Sequence, residues 1–182
     1  MYGLIHQGLK DMVCASRGED VWREICESVS RSSDDFEPLV SFPDSETMVM
    51  LDAVARRLEI SPAEVLRQFG RHWVAYTARE GYGPILDLFG QSFRSCLHNL
   101  NRMHGHMGAM MPNLKPPRFT VTEHDSESMT VHYFSTRTGL AAMVQGLLEG
   151  LAERFNEQVA IEVFAKGVRS DHDEFDVLFV AS

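Results

Sequence analysis

Residues 97–140 read LHNLNRMHGHMGAMMPNLKPPRFTVTEHDSESMTVHYFSTRTGL, and the hydrophobic period changes inside that stretch. Leu97, Leu100, His104, Met107 and Met111 recur at alternating three- and four-residue spacing, so on a helix they form one apolar stripe. The spacing predicts a helix from about Ser92 to Met110. Pro112, Pro116 and Pro117 break it, because residues ahead of a proline favour extended backbone. Beyond Pro117 the period becomes two. Phe119 to Glu123 and Met129 to Thr136 read as strands, separated by the polar turn His124-Asp125-Ser126.

Upstream the chain is helical. Ser61-Pro62-Ala63-Glu64 supplies an N-cap, a proline at the first helical position and the Glu of a capping box. Val65, Leu66, Phe69, Trp73 and Tyr76 then mark the buried side of a helix, and Gly81, Gly83 and Pro84 are expected to end it. Downstream, Leu140, Met143, Val144, Leu147, Leu151 and Phe155 describe one amphipathic helix. Val159 to Phe164 and Phe175 to Val180 read as a closing pair of strands across the polar loop around Ser170-Asp171-His172. The expected architecture is α+β: a helical N-terminal subdomain, about 1–111, fused to a small antiparallel sheet with a packed helix, about 117–182. The two parts make one domain over 1–182.

Composition narrows the function. A formal charge of −9 with no basic run argues against nucleic acid or an anionic membrane as partner. Cys14, Cys26 and Cys96 form no CxxC pair, and an odd number cannot all pair internally, which fits a reduced cytoplasm. Lys10 and Asp11 interrupt the start too early for a secretory signal, and no apolar run approaches the ~20 residues of a membrane span. No phosphate-cradling glycine loop or GxSxG elbow occurs, so no catalytic residue and no covalent catalysis are expected.

The chemistry-bearing residues are few. His104 sits within the apolar stripe with no charged neighbour in sequence. Either a backbone carbonyl satisfies the imidazole, or its partner is a metal ion in a pocket that thioether and aliphatic side chains keep dry. Such a shell suits a flat apolar cofactor such as haem. At about 100° per residue, His98 lies roughly 120° and His106 roughly 160° from His104, so both should face outward. On the strand expected after Met129, period two aligns the phenol of Tyr133, the hydroxyl of Ser135 and the guanidinium of Arg137. Three donors in a row suit a pair of carboxylates such as haem propionates, each charge-assisted bond contributing about 1.5–3 kcal/mol. Asp171-His172-Asp173 offers two carboxylates and one imidazole, an incomplete shell for a divalent cation, and reads as a solvated loop.

This constellation resembles the H-NOX family, the haem–nitric oxide/oxygen-binding domains that include the haem domain of the soluble guanylate cyclase β subunit. The resemblance is to the stand-alone bacterial type. It runs from MYGLIHQGLKDMV through GEDVW, RQFGRHWVAYTAREGYGPIL and HNLNRMHGHMGAMMPNLKPPRF to HYFSTRTGLAAMVQGLLEGL and SDHDEFDVLF. It implies haem b (protohaem IX) lying between the two parts of the domain, with His104 as the iron ligand. Tyr133, Ser135 and Arg137 would bind the propionates, and Pro117 would press on the ring. Leu100 would line the haem, with Leu9, Trp73 and Met143 on the distal side. Some family members carry a structural zinc built from cysteines near the C-terminus, but no cysteine follows Cys96 here.

The resemblance also sets expectations for ligand and partner. Family members that bind O2 stably place a tyrosine hydroxyl at the position occupied here by Ala142, and Ala141 and Met143 offer no hydroxyl either. A gas sensor binding NO and CO but not stably O2 is therefore expected, signalling to a separate effector, a histidine kinase or a diguanylate cyclase. The alternative is a haem enzyme that consumes NO or peroxide. It would draw an acid–base pair from His72 and Arg71, which flank Trp73 and should point away from the side it faces.

Overall fold

The structure, a computed structural model, describes residues 1–110 and 114–180, leaving aside the side chains of residues 82, 85, 86 and 110. Among the described residues, seven α-helices and a four-stranded antiparallel sheet give the expected α+β architecture. The N-terminal helices are α1 (Gly3–Arg17), α2 (Glu19–Ser28), α3 (Asp44–Leu58) and α4 (Pro62–Thr77). The capping box at α4 forms as its sequence dictates: Pro62 opens the helix and Ser61 Oγ accepts from the Glu64 N–H at 3.1 Å. Such a cap stabilises a helix by about 1 kcal/mol.

The helical path does not stop at Gly81, Gly83 and Pro84. It winds on through a π-helical turn, Ala78–Tyr82, into α5 (Gly83–Phe89). Pro84 is the second residue of α5, directly after the π-helical turn, so the proline lies where two helical segments join instead of ending one. Helix α6 follows over Phe93–Met110, close to the expected bounds. Met111 and Pro112, the end of the predicted stripe and the first breaking proline, lie outside the described residues.

The sheet is formed by β1 (Arg118–Glu123), β2 (Ser128–Phe134), β3 (Val159–Phe164) and β4 (Asp173–Phe179), in the order β1-β2-β4-β3, with α7 (Ala141–Arg154) between β2 and β3. Strand β2 ends two residues earlier than expected. Its register partners run out at Arg118↔Phe134 on one side and Tyr133↔Asp173 on the other. Beyond Phe134 the Arg137 N–H bonds to Ser135 Oγ at 3.0 Å, and this local turn replaces the ladder. Ser135 and Arg137 therefore leave the strand, and only Tyr133 of the expected row remains on it.

Burial follows the period. Phe119, Met129, Val131, Tyr133, Phe175 and Val177 point to one face of the sheet and pack on Phe93, Leu97 and Leu100 of α6 and Val144, Leu148 and Leu151 of α7. A second core joins Leu9, Val13, Trp22, Ile25, Val54, Val65 and Phe69 among the N-terminal helices. Helices α4 and α7 belong to both cores: Phe69 and Met143 pack on the helical one, Val74 and Val144 on the sheet-side one. Their backbones nearly touch. A Cβ added at Gly146 would sit 1.9 Å from the Arg67 carbonyl oxygen, and one at Gly70 2.1 Å from that of Met143. Among the described residues no helix is long and apolar enough to cross a membrane.

Helix α1 carries a fully buried His6, stacked on Phe36 at 4.2 Å and bonded through Nε2 to Thr47 Oγ1 at 3.1 Å. Burial, aided by the nearby N-terminal ammonium and Arg31, pulls its pKa down to about 4. Between that value and about 6.5 the unfolded chain binds a proton that the folded chain does not, so stability falls as pH falls through this window. The full effect is about 3 kcal/mol. Urea unfolding midpoints from pH 7 to pH 4.5 should decline, and the decline should be shallower in His6→Leu. Parallel curves would mean that other groups set the acid limit.

Candidate functional site

Helix α6 presents the expected stripe as far as Met107. Leu97 and Leu100 are buried, His104 is largely enclosed, and Met107 packs against a small cluster of Tyr2, Leu4 and Tyr76, which Trp73 and Leu114 also touch. His98 and His106 are exposed; His98 Nε2 lies 2.7 Å from Glu123 Oε1, and the His106 ring sits 6.1 Å from Phe89.

Burial lowers the pKa of His104 more than the Leu100 carbonyl, one turn back, can raise it, so the imidazole is held neutral near pH 7. Its Nδ1 is buried and has no hydrogen-bond partner of good geometry. His6 Nδ1 and Trp22 Nε1 are also buried without a partner, so the orphaned nitrogen does not by itself single out His104; a neutral enclosed imidazole on this stripe is compatible with a metal-centred cofactor.

The imidazole is positioned from the sheet. Its ring stacks on Phe119 at 5.7 Å and 13°, and Phe119 in turn contacts Tyr133 at 5.2 Å. Asn101, one turn before His104, grips the backbone of Phe119 with both ends of its amide: Oδ1 accepts from the Phe119 N–H at 2.7 Å, and Nδ2 donates to the carbonyl. Sequence reasoning missed Asn101 because a single polar residue beside an apolar stripe carries no periodic signal.

Tyr133 is buried, and burial raises its phenol pKa, with Asp173 adding to the rise and a hydrogen bond to Ser135 and the charge of Arg137 opposing it. The Arg137 guanidinium reaches across the molecule, Nε donating to Asp44 Oδ2 at 2.7 Å and Nη1 to the Lys115 carbonyl at 2.8 Å. Asp44 also accepts from the N-terminal ammonium at 2.8 Å. Burial alone would raise its pKa, but these two cations hold it below the ordinary carboxylate range. Asp44 was not legible in the sequence, since nothing local links it to a partner 93 residues away.

Leu100 shares the sheet-side core with Phe119 and Tyr133, and Pro117 lies just before β1, two residues from Phe119. Met143 packs with Leu9 and Ala142 on the helical core, and Trp73 touches both that core and the Tyr2 cluster beside Met107. The site residues thus gather on two sides, with Trp73 and Met107 meeting between them. A cleft of about 410 Å³ beside α1, lined by His6, Lys10, Asp11 and Tyr76 among others, includes none of His104, Tyr133 or Arg137. His72 and Arg71, the acid–base pair of the enzyme alternative, are engaged elsewhere: His72 Nε2 lies 2.6 Å from Asp11 and Arg71 pairs with Glu153 at 2.5 Å.

In sequence and in fold the chain is similar to known proteins. The family model described as Haem-NO-binding matches residues 2–163. Soluble guanylate cyclase gcy-34 of Caenorhabditis elegans is 27% identical over 177 residues, covering 94% of this chain and 26% of that protein. The chain thus spans about a quarter of the length of such curated relatives. A triple mutant of an H-NOX protein from S. oneidensis, solved in the Fe(II) state, superposes with a TM-score of 0.89 at 24% identity, covering 100% of this chain and 97% of that one. An oxygen-binding H-NOX domain, solved as its oxygen complex, gives 0.82 at 21% identity, with 100% and 96% covered. The chain belongs to the haem-NO-binding, or H-NOX, family of haem-binding gas-sensor domains.

Proposed function

We propose that residues 1–182 act as one haem-b sensor domain that takes NO and CO, does not hold O2 stably, and signals to a separate effector. The observation that carries this reading is His104, kept neutral by burial and with an unsatisfied buried nitrogen. In this reading His104 would hold the iron, and the haem, when bound, would supply a ferrous centre that takes a diatomic gas. The Tyr133 and Ser135 hydroxyls and Arg137 hold the propionates. Asp44 and the Lys115 carbonyl fix the guanidinium by Nε and Nη1, which leaves Nη2 to meet a carboxylate. Pro117, in the segment before β1, would lie against the ring, and Leu100, Trp73 and Met143 would line it.

In this reading selectivity turns on the residue at position 142, since the other donor on the distal side is the indole N–H of Trp73, whose place in the family pattern does not usually serve this role. Stable uptake of O2 needs a hydrogen-bond donor against the charge that oxygen draws, whereas NO and CO need none. Ala142 and its neighbours Ala141 and Met143 carry no such donor. For output, Asn101 clamps α6 to β1 one turn before His104, while Gly105 and Gly108 follow it with open space where a Cβ would stand. The end of α6 beyond His104 is the part best able to shift, and the exposed Arg102 and His106 are candidates for passing the change to an effector such as a histidine kinase or a diguanylate cyclase.

The test is exposure of the reduced protein to air and to NO. The wild type should keep its unliganded spectrum in air over minutes and change at once with NO or CO. Ala142→Tyr supplies a phenol worth about 1–2 kcal/mol, tenfold or somewhat more in O2 affinity. A persistent oxygenated spectrum in the wild type would show that another group donates, and would make the protein an oxygen sensor.

A further inference from the structure

The alternation of β2 puts Tyr133 on the face toward the helices and His132 on the outer face, opposite Glu174 in the register with β4. The loop before β4 then folds His172 back over that outer face. His172 was expected in a solvated loop, yet its side chain is only 14% exposed and stacks on Phe134 at 4.1 Å. Three donor atoms converge there. His132 Nδ1 and His172 Nε2 are 2.9 Å apart, and Glu174 Oε1 lies 3.7 and 3.5 Å from them.

We infer that His132, His172 and Glu174 form a binding site for a divalent zinc-class ion, separate from the haem. Atoms at those separations lie on a circle of about 2 Å radius, which matches Zn–N and Zn–O bonds of about 2.0–2.2 Å. The tautomers are arranged for it. Asp171 Oδ1 can only accept, so at 2.9 Å it fixes the proton of His172 on Nδ1 and leaves Nε2 bare. Thr122 Oγ1, 3.0 Å from His132 Nε2, can hold the other ring in the same sense, with Nδ1 free.

A proton between the two rings would satisfy them but not Glu174. That carboxylate is 13% exposed and, among the described residues, meets only the two imidazoles, at 3.7 and 3.5 Å. An ion at the centre satisfies all three atoms together. Two imidazoles with one carboxylate favour zinc and its neighbours over magnesium or calcium, which prefer all-oxygen shells. The fourth position faces outward and would take water. Bound there, the ion would pin the 165–172 loop to the strand that carries Tyr133 on its other face.

The test uses the full haem-loaded protein stripped with a chelator, then dialysed to equilibrium against micromolar zinc(II), with zinc and iron measured in the same sample. One zinc per chain is expected, besides the iron, together with a zinc-dependent rise in thermal midpoint. His172→Ala, which changes a loop residue, and Glu174→Gln, which keeps the strand pairing, should each weaken zinc binding at least tenfold while the Soret band stays unchanged. Asp171→Asn should weaken it about tenfold, through the orientation of His172. His98→Ala, at the exposed pair with Glu123, should bind zinc as the wild type does. Negligible zinc in the wild type, or undiminished binding in both ligand variants, overturns the inference.

Discussion

His104→Gly should purify with little or no haem, and added imidazole should restore both the pigment and the ferrous spectrum. The cavity left by the substitution lies against Phe119 on a helix still clamped by Asn101, so free imidazole has a preformed place to enter. His98→Ala and His106→Ala should leave the ferrous spectrum as it is, because both side chains are exposed and His98 is engaged with Glu123. Haem content measured on the three purified variants, with and without imidazole, checks this. A normal ferrous spectrum in the His104 variant would remove the residue from the site.

Gly146→Ala should be strongly destabilising, alongside Gly3→Ala and Gly70→Ala, whose added Cβ atoms would also meet a backbone oxygen at about 2 Å. In an open helix Gly→Ala gains about 0.5–1 kcal/mol. At position 146 the new Cβ would meet the Arg67 carbonyl oxygen at 1.9 Å, and a backbone atom cannot turn aside as a side-chain tip can. Helices α4 and α7 would have to part, loosening the contact that joins the two cores. The expected loss is about 3 kcal/mol or more, or roughly 6–12 °C in thermal midpoint for a chain of this size. Gly105→Ala, with nothing near its Cβ position, should instead gain slightly, so thermal unfolding of the pair separates helix propensity from close packing. A neutral Gly146→Ala would mean that the two helices have room to separate.

The difference between what the sequence shows and what it hides follows the range of the interactions. The α6 stripe and the outward directions of His98 and His106 depend only on neighbours three and four residues away, and they appear in the structure as read. So does the Ser61–Glu64 cap. The end of β2 depends on where its partners β1 and β4 run out, and alternation in one strand cannot report that. Ser135 and Arg137 therefore looked like strand residues and are turn residues. Gly81, Gly83 and Pro84 looked like a stop because each disfavours an ordinary α-helix, whereas a π-helical turn followed by a proline in a new first turn accommodates all three. At the site, the resemblance supplied His104, Tyr133, Ser135 and Arg137. Asp44, Asn101 and the fold-back of His172 rest on contacts between distant segments, for which a single sequence carries no signal.

The most direct measurement is the absorption spectrum of the purified, reduced protein, taken anaerobically before and after addition of NO. A strong Soret band that shifts on NO addition, and that is lost with His104, is the predicted result. A colourless protein, or a haem spectrum that NO leaves unchanged, would contradict the account.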